Sequence, residues 1–140
     1  MLQSKETKYQ KRLLKKKRSK TLFQWKTNKL KFGNFGLQSL EEGFIRDDQL
    51  QAGIQVIKRK LKREGALWVR IFPSVSMTKK PNESRMGKGK GNIAFWGTSI
   101  KSGQIIYEIT GVSFSIANMV LKHGGGKLPV KTQIIIKKYK

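Results

Sequence analysis

Thirty-one lysines and arginines face only eight acids along this 140-residue chain, a formal charge of +23. That imbalance constrains folding more than any other feature, because a compact body carrying it repels itself. A polyanion relieves the repulsion, and each cation that neutralises a phosphate releases a condensed counterion. RNA or DNA is therefore the natural partner, and an anionic membrane surface is the weaker alternative. No apolar run approaches the length of a membrane span.

The same counts close off much enzymology. There is no cysteine, and His123 is the one histidine. Disulfides, thiolate sites, histidine metal clusters and conventional triads are excluded together. Glu41, Glu42, Asp47 and Asp48 crowd the start of a predicted helix, where capping accounts for them. Glu108 lies in a predicted strand with no second carboxylate spaced to cooperate, and a nearby base is its expected partner. His123 is expected to be a surface residue at a helix end. No catalytic residue, metal or cofactor is assigned.

Charge is not spread evenly. Residues 1–31 hold twelve basic residues and one acid, Glu6, and form a basic arm. Its lysines and arginines, Lys8, Lys11, Arg12, Lys15, Lys16, Lys17 and Arg18, suit phosphate contact, and Tyr9, Phe23 and Trp25 suit stacking or pinning. The remainder, 32–140, reads as one α+β domain, a mixed and mostly antiparallel sheet with two helices. "FGNFGLQSL" gives a short strand or turn. Leu50, Ile54, Ile57 and Leu61 recur at helical spacing, with Asp47 or Asp48 as N-cap and Gly65 as C-cap. Lys58, Arg59, Lys60, Lys62 and Arg63 crowd its last turns, more cations than the helix dipole requires.

"ALWVRIF" is apolar on both faces, which predicts a central strand covered on both sides, with Arg70 on it. From Pro73 the spacing predicts a long loop up to Gly91. "NIAFWGTSI" and "GQIIYEIT" follow as strands joined by a hairpin at Lys101-Ser102-Gly103. A second helix fits "VSFSIANMVLKH", capped by Ser113 or Ser115 and stopped by Gly124-Gly125-Gly126. "VKTQIIIKKYK" is the last strand, with Lys131 near its start.

The long loop holds "RMGKGKG", Arg85, Met86, Gly87, Lys88, Gly89, Lys90 and Gly91. It lacks the spacing and the Ser or Thr of a Walker loop and leads into a strand, so it does not cradle a nucleotide for chemistry. Glycines let backbone N–H groups approach phosphate, and Arg85 can grip one bidentately. Phe95 and Trp96 are expected to anchor the loop's base.

In order and spacing, "WVRIFP", "KP", "RMGKGKGN", "YE" and "KLPVKT", with "FGNFGL" and "QLQAG" upstream, resemble the bacterial-type large-subunit ribosomal protein sixteen family. The resemblance covers nearly the whole chain. It implies a non-catalytic structural constituent of the large ribosomal subunit that binds rRNA near the central protuberance, with the arm's cations, Lys58, Arg59, Lys62, Arg63, Arg70 and Lys131 as the expected rRNA contacts. It also implies that the protein shapes the aminoacyl-tRNA accommodation site and that Arg85–Gly91 reaches toward tRNA at the A/P region and the peptidyl-transferase region. Neighbouring ribosomal proteins are implied partners, without a membrane and without a homo-oligomer. Departures include Ser74-Val75-Ser76 where the family has Asp-Lys-Pro, and the triple glycine where it tends to place alanines. The glycines predict a second helix that ends early or relies on contacts outside the domain. "SGQIIYEITGVSFSIAN" looks most like mitochondrial members, so a mitochondrial ribosome is expected, with a plastid or bacterial one as the alternative. A match beginning at Met1 argues against a long cleaved presequence. The rival reading is a free-standing basic binder of nucleic acid or anionic membrane.

Overall fold

The computed structural model describes Lys11 and residues 27–137. Nine elements run in the order β1 (Phe35–Ser39), β2 (Gly43–Arg46), α1 (Asp47–Leu61), β3 (Ala66–Val69), β4 (Val75–Lys79), β5 (Asn92–Ile100), β6 (Ile105–Thr110), α2 (Phe114–Gly125) and β7 (Thr132–Ile136). The class is α+β, as expected, but the strands make two antiparallel sheets. One is ordered β3-β6-β1-β7 and the other β2-β5-β4.

The helices cover one face of the four-stranded sheet. Leu50, Ile57 and Leu61 of α1 and Ala117, Val120 and Leu121 of α2 are buried with Leu37, Tyr107 and Ile109 of the strands. The α1 pattern arises because those residues share one face of a 3.6-residue helix. Tyr107 crosses beneath α1 and donates its hydroxyl to the Leu50 carbonyl at 2.9 Å.

The opposite face is covered by residues leading out of the basic arm. Thr27 accepts the Ile105 N–H at 3.1 Å. Leu30 lies over Gly36, where a Cβ would come within 2.3 Å of it, and Phe32 stacks on Trp68. This layer explains why Glu108 is fully buried on a face without helices.

Five expectations are corrected. β3 is an edge strand, paired with β6 alone. Its two apolar faces reflect the core against Leu67 and the 27–33 layer against Trp68, not a central position. The turn at 101–103 does not close a hairpin, because β5 and β6 belong to different sheets. It carries the chain between them, with Gly103 N–H bonded to the Ser39 carbonyl at 2.8 Å. The segment after Pro73 is not all loop: Val75–Lys79 pairs along β5, leaving 80–91 as the connection.

α1 is also entered and left differently. Arg46 holds the N-cap position, Asp47 and Asp48 lie in the first turn, and Gln49 Oε1 accepts the Arg46 N–H. The helix ends on Lys62 and Arg63 in left-handed conformation, before Gly65. Finally, α2 continues through Gly124 and Gly125, both buried. A Cβ on Gly124 would lie 2.7 Å from Ile57, and one on Gly125 2.6 Å from Thr132 Oγ1. The helix still ends within the glycine run, with Gly126 as its C-cap, but later than expected. Gly124 and Gly125 let it lie close to α1 and β7.

Candidate nucleic-acid interface

The β4–β5 hairpin carries the glycine loop. Residues 81–90 are all exposed, and Met86 is fully so. Gly87 (φ 94°), Lys88 (φ 54°) and Gly89 (φ 83°) are three successive left-handed residues, a conformation that glycine adopts without steric cost. A Cβ on Gly87 or Gly89 would meet nothing within 4 Å, so nothing inside the protein requires glycine there for space. Gly91 is different: a Cβ there would sit 2.6 Å from the Lys79 carbonyl oxygen. Within one motif, then, two glycines shape an open tip and the third lets the hairpin close.

Side chains brace the loop from its base. Lys80 Nζ donates to the Gly87 carbonyl at 2.5 Å. Lys11 Nζ donates to the Lys90 carbonyl at 3.3 Å, bringing the arm's one described upstream residue to the loop. Trp96 of β5 is buried, while Phe95 meets Phe44 edge-on, with the Arg46 guanidinium 4.4 Å from its ring centroid. Arg46 also pairs with Asp48 at 2.7 Å. The anchoring expected of Phe95 and Trp96 is what the hairpin displays.

A second cationic cluster stands at the end of α1. Lys58, Arg59 and Lys60 occupy its last turn, and Lys62 and Arg63 follow, all five exposed. Among the described residues none of the five pairs with a carboxylate. The helix C-terminus attracts cations, which accounts for one or two of the five.

Arg70 stands apart. Its guanidinium pairs with Glu108, whose carboxylate is 0% exposed, and Arg70's own side chain is only 17% exposed. Glu108 also accepts the backbone N–H groups of Phe32 at 2.7 Å, Gly33 at 2.8 Å and Lys31 at 3.2 Å. Arg70 thus holds the carboxylate that pins the 31–33 backbone, which confirms the expected base for Glu108. Lys131 is exposed, and its backbone N–H donates to Glu41 Oε1 at 2.8 Å.

Lys8, Arg12, Lys15, Lys16, Lys17 and Arg18 lie outside the described residues. Sequence reasoning left Arg46, Lys80, Lys29, Lys31 and Phe32 off the site. Lys80 adjoins the glycine loop, a signal that could have found it; Arg46's place over Phe95 depends on strand pairing. His123 is exposed, its Nδ1 2.7 Å from the Met119 carbonyl. No helix among the described residues is long and apolar enough to cross a membrane.

Comparison with known proteins identifies the family. The family model described as ribosomal protein L16p/L10e matches residues 4–135. "Large ribosomal subunit protein uL16c" of Oltmannsiellopsis viridis is 44% identical over 96% of this chain and 98% of its own. The uL16c protein of Euglena gracilis is 48% identical over 79% of this chain and 82% of its own. "Large ribosomal subunit protein uL16" of Francisella tularensis subsp. holarctica is 43% identical over 98% of each. The chain belongs to the ribosomal protein L16p/L10e family, structural and non-enzymatic components of the ribosome.

Proposed function

We propose that this protein binds large-subunit rRNA near the central protuberance and helps shape the aminoacyl-tRNA accommodation site. The observation that carries the reading is the 81–90 loop. Arg85 and Lys88 stand in solvent on a left-handed glycine backbone that contributes nothing to the core. A folded chain gains no stability from such a loop, whereas a phosphate backbone gains cations and close-approaching N–H groups. The α1 cluster, Lys131 and the arm supply further phosphate contacts, and Arg85–Gly91 extends toward tRNA. Neighbouring ribosomal proteins are the other partners, and the chain does not self-associate.

The uL16c and uL16 relatives favour a ribosome of organellar or bacterial type. The mitochondrial assignment rests on the resemblance of residues 102–118 alone, and a plastid or bacterial ribosome accommodates the relatives directly. The rival is a free-standing basic binder. Sedimentation separates the two: the protein should comigrate with large subunits through a moderate-salt wash. Release into light fractions under that wash supports the rival.

A further inference from the structure

We propose that Phe32, locked against Trp68, is a stacking platform for an unpaired base of the bound RNA. The inference rests on the rRNA-binding reading and adds a specific contact to it. Phe32 and Trp68 lie with ring centroids 6.1 Å apart and planes 20° from parallel. Trp68 is partly covered, yet Phe32 remains 49% exposed. A lone exposed aromatic needs no explanation, but this one is held in place by unusual means. Its own N–H, with those of Lys31 and Gly33, converges on the buried Glu108 carboxylate. Arg70, ion-paired to that carboxylate, places its guanidinium 5.3 Å from the Phe32 ring. The backbone beneath the ring is therefore fixed before any partner arrives, which lowers the ordering cost of binding.

The rim indicates what that partner is. Lys31 Nζ lies 5.4 Å from the ring centroid, and Lys29 is exposed nearby in sequence. Arg70's charge is matched by Glu108, so the lysines leave the surroundings net positive. An apolar protein surface would leave those ammonium groups without a counter-charge. An acidic peptide would answer the charge but not the ring. An unpaired nucleotide offers both, a π face for Phe32 and a phosphate for Lys31.

The test uses the full chain, with Phe32→Leu, Phe32→Met and Phe32→Tyr, against three probes: a short single-stranded RNA, an RNA duplex and heparin. Leu and Met keep apolar contact with Trp68 but lack a π face, and Tyr restores it. Single-strand affinity should fall about tenfold in F32L and F32M and return in F32Y. Heparin and duplex binding should change by less than about twofold, since their attraction is set by charge. Thermal unfolding of each variant verifies that the fold is retained. Equal losses on all three probes, or an undiminished single-strand affinity in both F32L and F32M, overturn the platform. Failure of the wild-type chain to bind large-subunit rRNA overturns the broader reading instead.

Discussion

Gly124 of α2 lies against Ile57 of α1 so closely that a Cβ at position 124 would come within 2.7 Å of both Ile57 Cγ1 and Cδ1. Ile57 is fully buried and cannot swing into solvent. Gly124→Ala thus sets two effects against each other. Helix propensity favours alanine by about 1 kcal/mol, while overpacking a filled site costs about 1–3 kcal/mol. The expected result is a net loss of about 1 kcal/mol, read as a lower urea midpoint. Adding Ile57→Val should recover part of that loss. A G124A protein more stable than wild type would mean that the helices separate freely.

Glu108 and Arg70 form the other tight coupling. Glu108→Gln leaves a mostly buried guanidinium without its counter-charge and weakens the hold on the 31–33 backbone. The loss should be about 3 kcal/mol, at the low end for breaking a buried pair because Arg70 keeps some solvent contact. Arg70→Met combined with Glu108→Gln should cost less than the sum of the single changes. Additive single and double effects in equilibrium denaturation would show that the two side chains are energetically independent.

Tyr107 sets an alkaline limit. Burial pushes its hydroxyl well above the ordinary tyrosine value. The folded state therefore holds this proton more tightly than the unfolded chain, whose tyrosine ionises near about pH 10. The contribution is whole below that pH and declines as pH rises beyond it. At neutral pH, Tyr107→Phe should cost about 1 kcal/mol through the lost bond to the Leu50 carbonyl. The gap between wild type and Y107F should narrow above about pH 10, followed by urea midpoints across that range. A gap that widens there would contradict the assignment.

These residues also show what a sequence discloses. α1 was legible because Leu50, Ile57 and Leu61 mark one face of a long helix, a periodicity that no loop imitates. β2 and β4 were hidden by brevity and polar residues: Ser76 is buried in β4 yet reads as loop. The division into two sheets was invisible because Lys101-Ser102-Gly103 has hairpin chemistry whichever sheet receives the next strand. Gly124 misled for a related reason. Glycine disfavours an isolated helix, but an isolated segment contains no Ile57. The cationic loop was legible from composition alone, since its character depends on local residues and on no distant pairing. The Arg46–Phe95 contact depends on β2 lying beside β5, so nothing local announced it.

The glycine motif itself divides into testable halves. Gly91→Ala drives a Cβ into the Lys79 carbonyl oxygen, a backbone atom that cannot turn aside, and should destabilise the hairpin by about 1–3 kcal/mol. Gly87→Ala and Gly89→Ala meet no neighbour, and their cost is confined to left-handed backbone strain of about 1–2 kcal/mol. The exposed tip can release much of that strain by relaxing, so their unfolding midpoints should stay near wild type. Relaxation has a consequence, because the tip then no longer presents Arg85 and Lys88 along the same path. In reconstituted large subunits, G87A and G89A should slow aminoacyl-tRNA accommodation, as should Arg85→Ala, with the isolated fold intact in all three. G91A should lower the unfolding midpoint as well. Equal thermal losses at all three glycines would make the motif wholly architectural, while normal accommodation rates in G87A, G89A and R85A would remove the tip from the tRNA path.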